Sequence, residues 1–439
     1  MKLLFVSPAQ LQDDGRPLKR DKAFLIPLSI YLLAGLTPRN WDIEVVNDYT
    51  DEIPYDRDCD LVAITATTLH SRRGYEIAAE FRRRGKKVVM GGFHPTLFTD
   101  EARQHADALV VGEAELVWRD VLADAAAGRL KPSYQADRLS DMQDQPVPRY
   151  DLIDRGKFIN NVLPVESTRG CPYNCDYCSV TQFYGHKYRF RPIAHVARDV
   201  RASGCRFIGF VDDNIAGKLD VSRALFESLV PLKIFWMSQV SIRLADDEPT
   251  LALSARSGYR YAIIGVETLD PANLAAVRKG RVNEVAEYVP RIKLFKKYGI
   301  TVCANLMFGF DNDEPATFDR AFAFVRRHCL MVNPYIITPY PGTRYYDGMD
   351  AAGRLLHKDY WRYTSYQTVF RPKHFAPADL DARFLQFYKR CYAIPFNLRR
   401  FVHGLSIRRP WGSFMTQLAM MINSVIVRGN LRRGILPYY

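Results

Sequence analysis

The stretch Arg169-Gly-Cys-Pro-Tyr-Asn-Cys-Asp-Tyr-Cys-Ser179 places Cys171, Cys175 and Cys178 at the spacing C-x3-C-x2-C. It follows a short β-like run, Val165–Thr168. Thiolates hold iron–sulfur clusters, and a four-iron electron carrier uses four of them. Three thiolates on one tight loop hold three irons and leave the fourth open to a small molecule. Zinc is the competing chemistry. Structural zinc wants four ligands, often as two C-x2-C pairs; no fourth cysteine follows at short spacing, and His186 is the only candidate. A third reading is inert buried thiols. Three cysteines crowded among Gly, Pro and Asn argue against it.

The other five cysteines, Cys59, Cys205, Cys303, Cys329 and Cys391, are scattered. They read as small buried hydrophobes, not as a disulfide framework. A reducing, cytoplasmic compartment is therefore expected. Met1–Val6 is too short an apolar run for a signal peptide. A chain of 439 residues, 48% of them hydrophobic, suggests two or three domains with ordinary cores. The net charge of +13 fits nucleic acid, an anionic membrane surface, or an acidic protein and anionic cofactors. Part of it is the run Arg82-Arg83-Arg84-Gly85-Lys86-Lys87, which ends an expected helix where cations suit the dipole. No nucleic-acid module is visible and no basic stretch interleaves with aromatics, so no nucleic-acid partner is expected.

The first part alternates strands and helices. Lys2–Val6, Ile43–Val46, Asp60–Thr65, Lys87–Met90 and Ala108–Val111 are short and apolar, and Tyr75, Ala78 and Phe81 share one helix face. Such alternation implies an α/β fold with a parallel sheet covered on both sides. Ligands bind such sheets beyond the carboxyl ends of the strands. Met90-Gly-Gly-Phe-His-Pro-Thr96 and Val110-Val-Gly-Glu-Ala-Glu115 stand there; glycines allow close approach of a ligand, and also serve plain turns. Residues 131–164, with four prolines and many polar residues, read as a linker. A second series follows: Val165–Thr168, Arg206–Val211, Ile234–Val240, Arg260–Val266, Ile300–Met307 and Val332–Ile337, with helices such as Ile193–Arg201 and Glu314–Arg327 between them.

The three-cysteine loop, with an aromatic residue before its third cysteine and six βα units after it, resembles the radical S-adenosylmethionine (SAM) enzymes. The N-terminal part resembles the cobalamin-binding domains that precede many of them. The resemblance implies a Rossmann-like, doubly wound domain over 1–130, the linker 131–164, a partial (β/α)6 barrel over 165–370 and a helical extension over 371–439. It implies a [4Fe-4S] cluster on Cys171, Cys175 and Cys178, with SAM on the open iron cleaved to a 5′-deoxyadenosyl radical. Tyr177 would lie near the adenine. Asp212, Asp213 and Asn214, at the end of the second barrel strand, would meet the methionine amino group. Ser238, Gln239 and Glu267 close the third and fourth strands. For cobalamin, the implied residues are Thr65 and Thr67 (where the family has Ser-x-Leu), Gly91 and Gly92, and Gly112 and Glu113. The Asp-x-His-x-x-Gly motif is absent, and the loop Ser7–Gly15 offers no histidine. His70 and His94 read as hydrogen-bonding residues.

The activity implied is methylation of an unactivated carbon on a small molecule or lipid, with flavodoxin or ferredoxin as electron donor. Family members that use cobalamin for oxidation or cyclisation, and a non-catalytic iron–sulfur or corrinoid sensor, are the alternatives. Trp411–Val427 is mostly apolar and flanked by Arg408, Arg409, Arg428, Arg432 and Arg433. It is expected to cover or pack, with peripheral membrane contact as the alternative, and its polar interruptions argue against a span.

Overall fold

The computed structural model describes residues 1–159, 161–185, 187–406, 418, 421–422 and 424–430. The first sheet has β1 (Lys2–Ser7), β2 (Asp42–Asn47), β3 (Leu61–Thr65), β4 (Lys87–Gly91), β5 (Ala108–Val111) and β6 (Ser133–Gln135) in the order β2-β1-β3-β4-β5-β6. Its pairings are parallel. Successive side chains point to opposite faces of a strand, and the core divides accordingly. Leu4, Val6, Val62, Ile64, Val88 and Met90 pack on Ala78 and Phe81 of the helix Ser71–Arg83. Leu3, Phe5, Leu61, Ala63, Val89 and Val110 pack on Ile30, Trp118 and Val121. This is the covered parallel sheet expected. The basic run does end a helix, where Glu80 pairs with Arg83 and Arg84.

Two short strands, β7 (Leu163–Val165) and β8 (Thr168–Arg169), replace the single run expected at Val165–Thr168, and β9 (Arg189–Phe190) follows the cysteine loop. Then come β10 (Phe207–Phe210), β11 (Phe235–Val240), β12 (Tyr259–Glu267), β13 (Thr301–Phe308) and β14 (Met331–Ile336). The second sheet runs β14-β13-β12-β11-β10-β7, an open six-stranded arrangement with helices between the strands. Its helix-side face is buried through Ile208, Trp236, Ala262, Ile264, Ala304 and Val332. Phe235, Met237, Tyr261, Met307 and Tyr335 stand on the other face and are only half-buried.

The chain forms two compact units, Met1–Val165 with Arg189–Gly204 and Asp359–Arg362, and Glu166–Tyr188 with Cys205–Lys358 and Tyr363–Tyr439. Residues 131–164 are therefore no free linker: Ser133–Gln135 adds a strand, and Tyr150 buries its ring while its hydroxyl donates to the Pro164 carbonyl at 2.9 Å. The helix Ile193–Ala202, expected in the barrel, belongs to the first unit. After the barrel come the helices Pro377–Cys391 and Ile394–Ser406. Most of Trp411–Val427 lies outside the described residues, as do Arg408, Arg409, Arg432, Arg433 and His186. No helix among the described residues is long and apolar enough to cross a membrane.

Candidate active site

The cysteine loop is fixed from both sides. Before it, Gly170 has φ +84°, and a Cβ there would lie 2.4 Å from the Lys187 carbonyl oxygen, so glycine is required. Gly170 N–H donates to Asp213 Oδ2 at 3.1 Å. Within the loop, Cys178 N–H closes a turn on the Cys175 carbonyl at 3.2 Å. Outside it, Arg344 donates to Asp176 Oδ1 and to Asn174 Oδ1, both at 2.6 Å. Cys175 is buried, and Cys171 and Cys178 are half-buried.

Burial pushes all three thiols up, Cys178 to about 12. Lys279, which sequence reading missed, draws Cys171 and Cys175 back toward ionisation. An empty loop therefore keeps its protons, and iron must displace them. Among the described residues no three His, Cys, Asp or Glu side chains converge as ligands of a single ion do. In a four-iron cube each thiolate bonds a different iron, so three cysteines on one loop fit as its donor set.

Glu267 sits at the carboxyl end of β12. The pairing with β13 slips there, Gly265 opposing Asn305 and Glu267 opposing Leu306. Such an irregularity re-aims a side chain. The backbone at Glu267 has φ +68°, a strained region for this residue that recurs at functional sites. Asn283 Nδ2 donates to the carbonyls of Gly265 and Val266 at 2.7 and 3.1 Å, and Tyr288 donates to Val266 at 2.8 Å. These bonds hold the slip in place. Glu267 Oε1 accepts from the Tyr177 hydroxyl at 3.0 Å and faces Lys279 Nζ at 3.3 Å. Burial, Glu267 and the nearby cysteines raise Tyr177. Against burial, which would lower it, Glu267 and the cysteines hold Lys279 above the ordinary lysine value. Tyr177, Glu267, Lys279 and the cysteines thus form one charge-balanced group.

The other expected SAM residues divide. Asp212 is 1% exposed and accepts from Ser167 N–H at 3.2 Å, Ser167 Oγ at 2.6 Å and Thr168 Oγ1 at 2.5 Å. Burial pushes it up to about 7 and Asp213 to about 6. Both carboxylates hold the segment that enters the cysteine loop, and Asp212 already accepts three hydrogen bonds from it. Asn214 accepts from Ser241 N–H through Oδ1 at 3.1 Å, and its buried Nδ2 has no partner. The open atom is a donor, so it suits the SAM carboxylate and not the ammonium expected. Ser238 and Gln239 cannot share a face: Ser238 is buried on the helix side and Gln239 is open.

In the first unit, Thr65 pairs in register with Gly91, and Gly91 with Val110, at the carboxyl edge of the sheet. Gly92 has φ +107°, and a Cβ there would lie 2.7 Å from the Ala66 carbonyl oxygen. Gly112 donates to Thr96 Oγ1 at 2.9 Å, and a Cβ there would meet nothing within 4 Å. Thr67 Oγ1 is bonded to His70 Nδ1 at 2.8 Å, and Tyr49 takes His70 Nε2 at 3.1 Å. His94 bonds Tyr75 at 2.9 Å. Glu113, expected at the ligand, is buried and accepts from Ser140 N–H at 2.6 Å and Arg189 Nη1 at 2.7 Å, so its role is internal. Gln10, in the loop after β1, is 1% exposed with neither amide atom partnered. A buried amide without partners is expensive, and a corrinoid rimmed by amides would satisfy it. The residues at this edge fit such a ligand.

The Radical SAM superfamily model matches residues 165–325. Bacteriochlorophyllide d C-12(1)-methyltransferase of Chlorobaculum tepidum is 30% identical over 382 residues, which cover 84% of this chain and 83% of that protein. Bacteriochlorophyllide d C-8(2)-methyltransferase of the same organism is 31% identical over 389 residues, covering 84% and 86%. The radical SAM methyltransferase TsrM of Kitasatospora setae, solved with cobalamin and a [4Fe-4S] cluster bound, shares the fold at TM-score 0.67 and 15% identity, covering 98% of this chain and 99% of that one. With its three-cysteine loop and its two parallel sheets, the chain belongs to the radical SAM superfamily, in the family of the bacteriochlorophyllide methyltransferases.

Proposed function

We propose that this enzyme methylates an unactivated carbon of a flat, amphiphilic small molecule of the chlorophyllide type, using cobalamin. The observation that carries the reading is the three-cysteine loop in a chain that matches two tetrapyrrole methyltransferases over most of its length. The open barrel face supports the substrate class: Phe235, Met237, Tyr261, Met307 and Tyr335 are half-buried there, an aromatic and thioether lining suited to a flat apolar ring.

When bound, the cluster, SAM and cobalamin supply hydrogen-atom abstraction and the methyl group. The chain's residues bind and orient. Cys171, Cys175 and Cys178 hold the cluster. Glu267 accepts bonds from the ribose hydroxyls or the amino group, Tyr177 and Lys279 fix its carboxylate, and Asn214 donates to the SAM carboxylate. Gly91, Gly92, Gly112, Thr65 and Gln10 line the corrinoid site. An acidic flavodoxin or ferredoxin is the electron donor that suits a chain of net charge +13. Eight free cysteines support a reducing, cytoplasmic setting.

Anaerobic incubation with methyl-labelled SAM and bacteriochlorophyllide tests this. Label in the tetrapyrrole is expected. Deoxyadenosine without label in the product would assign oxidation or cyclisation instead, and intact SAM after reduction would assign a sensor.

A further inference from the structure

The C-terminal helices turn apolar side chains outward. Twelve large apolar residues are exposed among the described residues, and six of them lie beyond residue 390. On the helix Ile394–Ser406, the exposed Ile394, Leu398 and Val402 are spaced i, i+4, i+8 and so form one stripe. The opposite side is the buried one, with Phe396, Asn397 and Arg400. Near the end of the chain, Ile422, Val425 and Ile426 are exposed in the same way. Arg400 ties the two segments, donating to Ser424 Oγ at 3.1 Å. An apolar stripe on a helix ordinarily faces the core, so an outward stripe calls for an apolar partner.

The charge around it names the partner. After Asp381 the chain has no acidic residue, and it carries ten Lys and Arg. Arg399 is exposed beside Leu398. An apolar strip with an exposed arginine beside it, in a segment whose sequence is free of carboxylates, is the pattern of an interfacial helix on an anionic bilayer. A second copy of this chain would bring Arg399 of the same stripe and an equally acid-free segment against this one, and repulsion opposes that contact.

We propose that the outward face of Ile394–Ser406, with Ile422, Val425 and Ile426, docks on an anionic lipid bilayer surface, the apolar residues entering the acyl boundary and Arg399 meeting the headgroups. This stands apart from the reaction proposed above.

Full-length protein is sedimented with vesicles of phosphatidylcholine alone or with phosphatidylglycerol added. Sedimentation with the anionic vesicles, little with the neutral ones, and release by added salt are expected. Leu398→Glu with Val402→Glu should lower the bound fraction roughly tenfold, with unchanged circular dichroism and unchanged cluster content. Two results would overturn the proposal: wild-type protein left in the supernatant with anionic vesicles, or equal binding by the double variant. A dimer in light scattering that the double variant dissolves would assign the face to a second copy, and overturn it as well.

Discussion

Replacing Gly265 by alanine moves one carboxylate and little else. The added Cβ would stand 2.2 Å from Glu267 Oε1, 3.1 Å from Glu267 Cδ and 3.4 Å from Lys279 Nζ. The strand tolerates alanine at this position, because Gly265 is not among the residues with positive φ. The carboxylate must therefore withdraw by about 1 Å to reach van der Waals contact. That breaks its 3.0 Å bond from Tyr177 and its 3.3 Å approach to Lys279. A hydrogen bond to a charged group contributes about 1.5–3 kcal/mol. If the displaced carboxylate loses one such bond to SAM, affinity falls about 10- to 100-fold. The assay is the SAM dissociation constant of the reconstituted protein, measured anaerobically, with iron content as the control. Glu267→Gln should weaken SAM in the same range. If both variants bind SAM within about twofold of wild type, the assignment of Glu267 to SAM is refuted.

Asn214→Asp keeps the acceptor for Ser241 and turns the open donor into an acceptor, so SAM should bind at least tenfold more weakly (about 1.4 kcal/mol), while an unchanged constant would tell against a contact with the SAM carboxylate. Gly92→Ala forces a Cβ into the left-handed region and onto the Ala66 carbonyl, a strain on the order of 1–3 kcal/mol; corrinoid per chain should drop and iron per chain should not. Asp212 has a folded-state value of about 7 against the ordinary 3.8. Between those values the folded protein keeps a proton that the unfolded chain has released, so stability falls as pH rises through this window, by on the order of 4 kcal/mol at most. Unfolding of the iron-free protein from pH 4 to 8 should show that slope, and Asp212→Asn should lessen it, Asp213 at about 6 keeping a share.

Strand positions were legible because a buried parallel strand is a short apolar run, and β5 coincides with its expected bounds at Ala108–Val111. The cluster ligands were legible because spacing along one loop is itself the signal. Contacts between residues far apart in sequence were not. Asp212 meets Ser167 across 45 residues, and Glu113 meets Arg189 across 76. From sequence, each was a carboxylate at a strand end, and only packing shows the hydrogen bonds it accepts inside the fold. Ser238 could have been removed by side-chain period alone, since its neighbour Gln239 claims the open face. Lys279 sits in Arg278-Lys279-Gly280 and reads as a surface charge until Glu267 appears beside it. Gln10 had one usable signal, its place in the loop after the first strand. The short strand Ser133–Gln135 was hidden by the prolines around it.

The central claim is a cluster with one iron left open for SAM. Its most direct measurement is the EPR spectrum of the reduced, reconstituted protein with and without SAM. About four irons per chain and a spectrum that shifts on adding SAM are predicted. A spectrum indifferent to SAM, or zinc held by Cys171, Cys175 and Cys178 in place of iron, would contradict it.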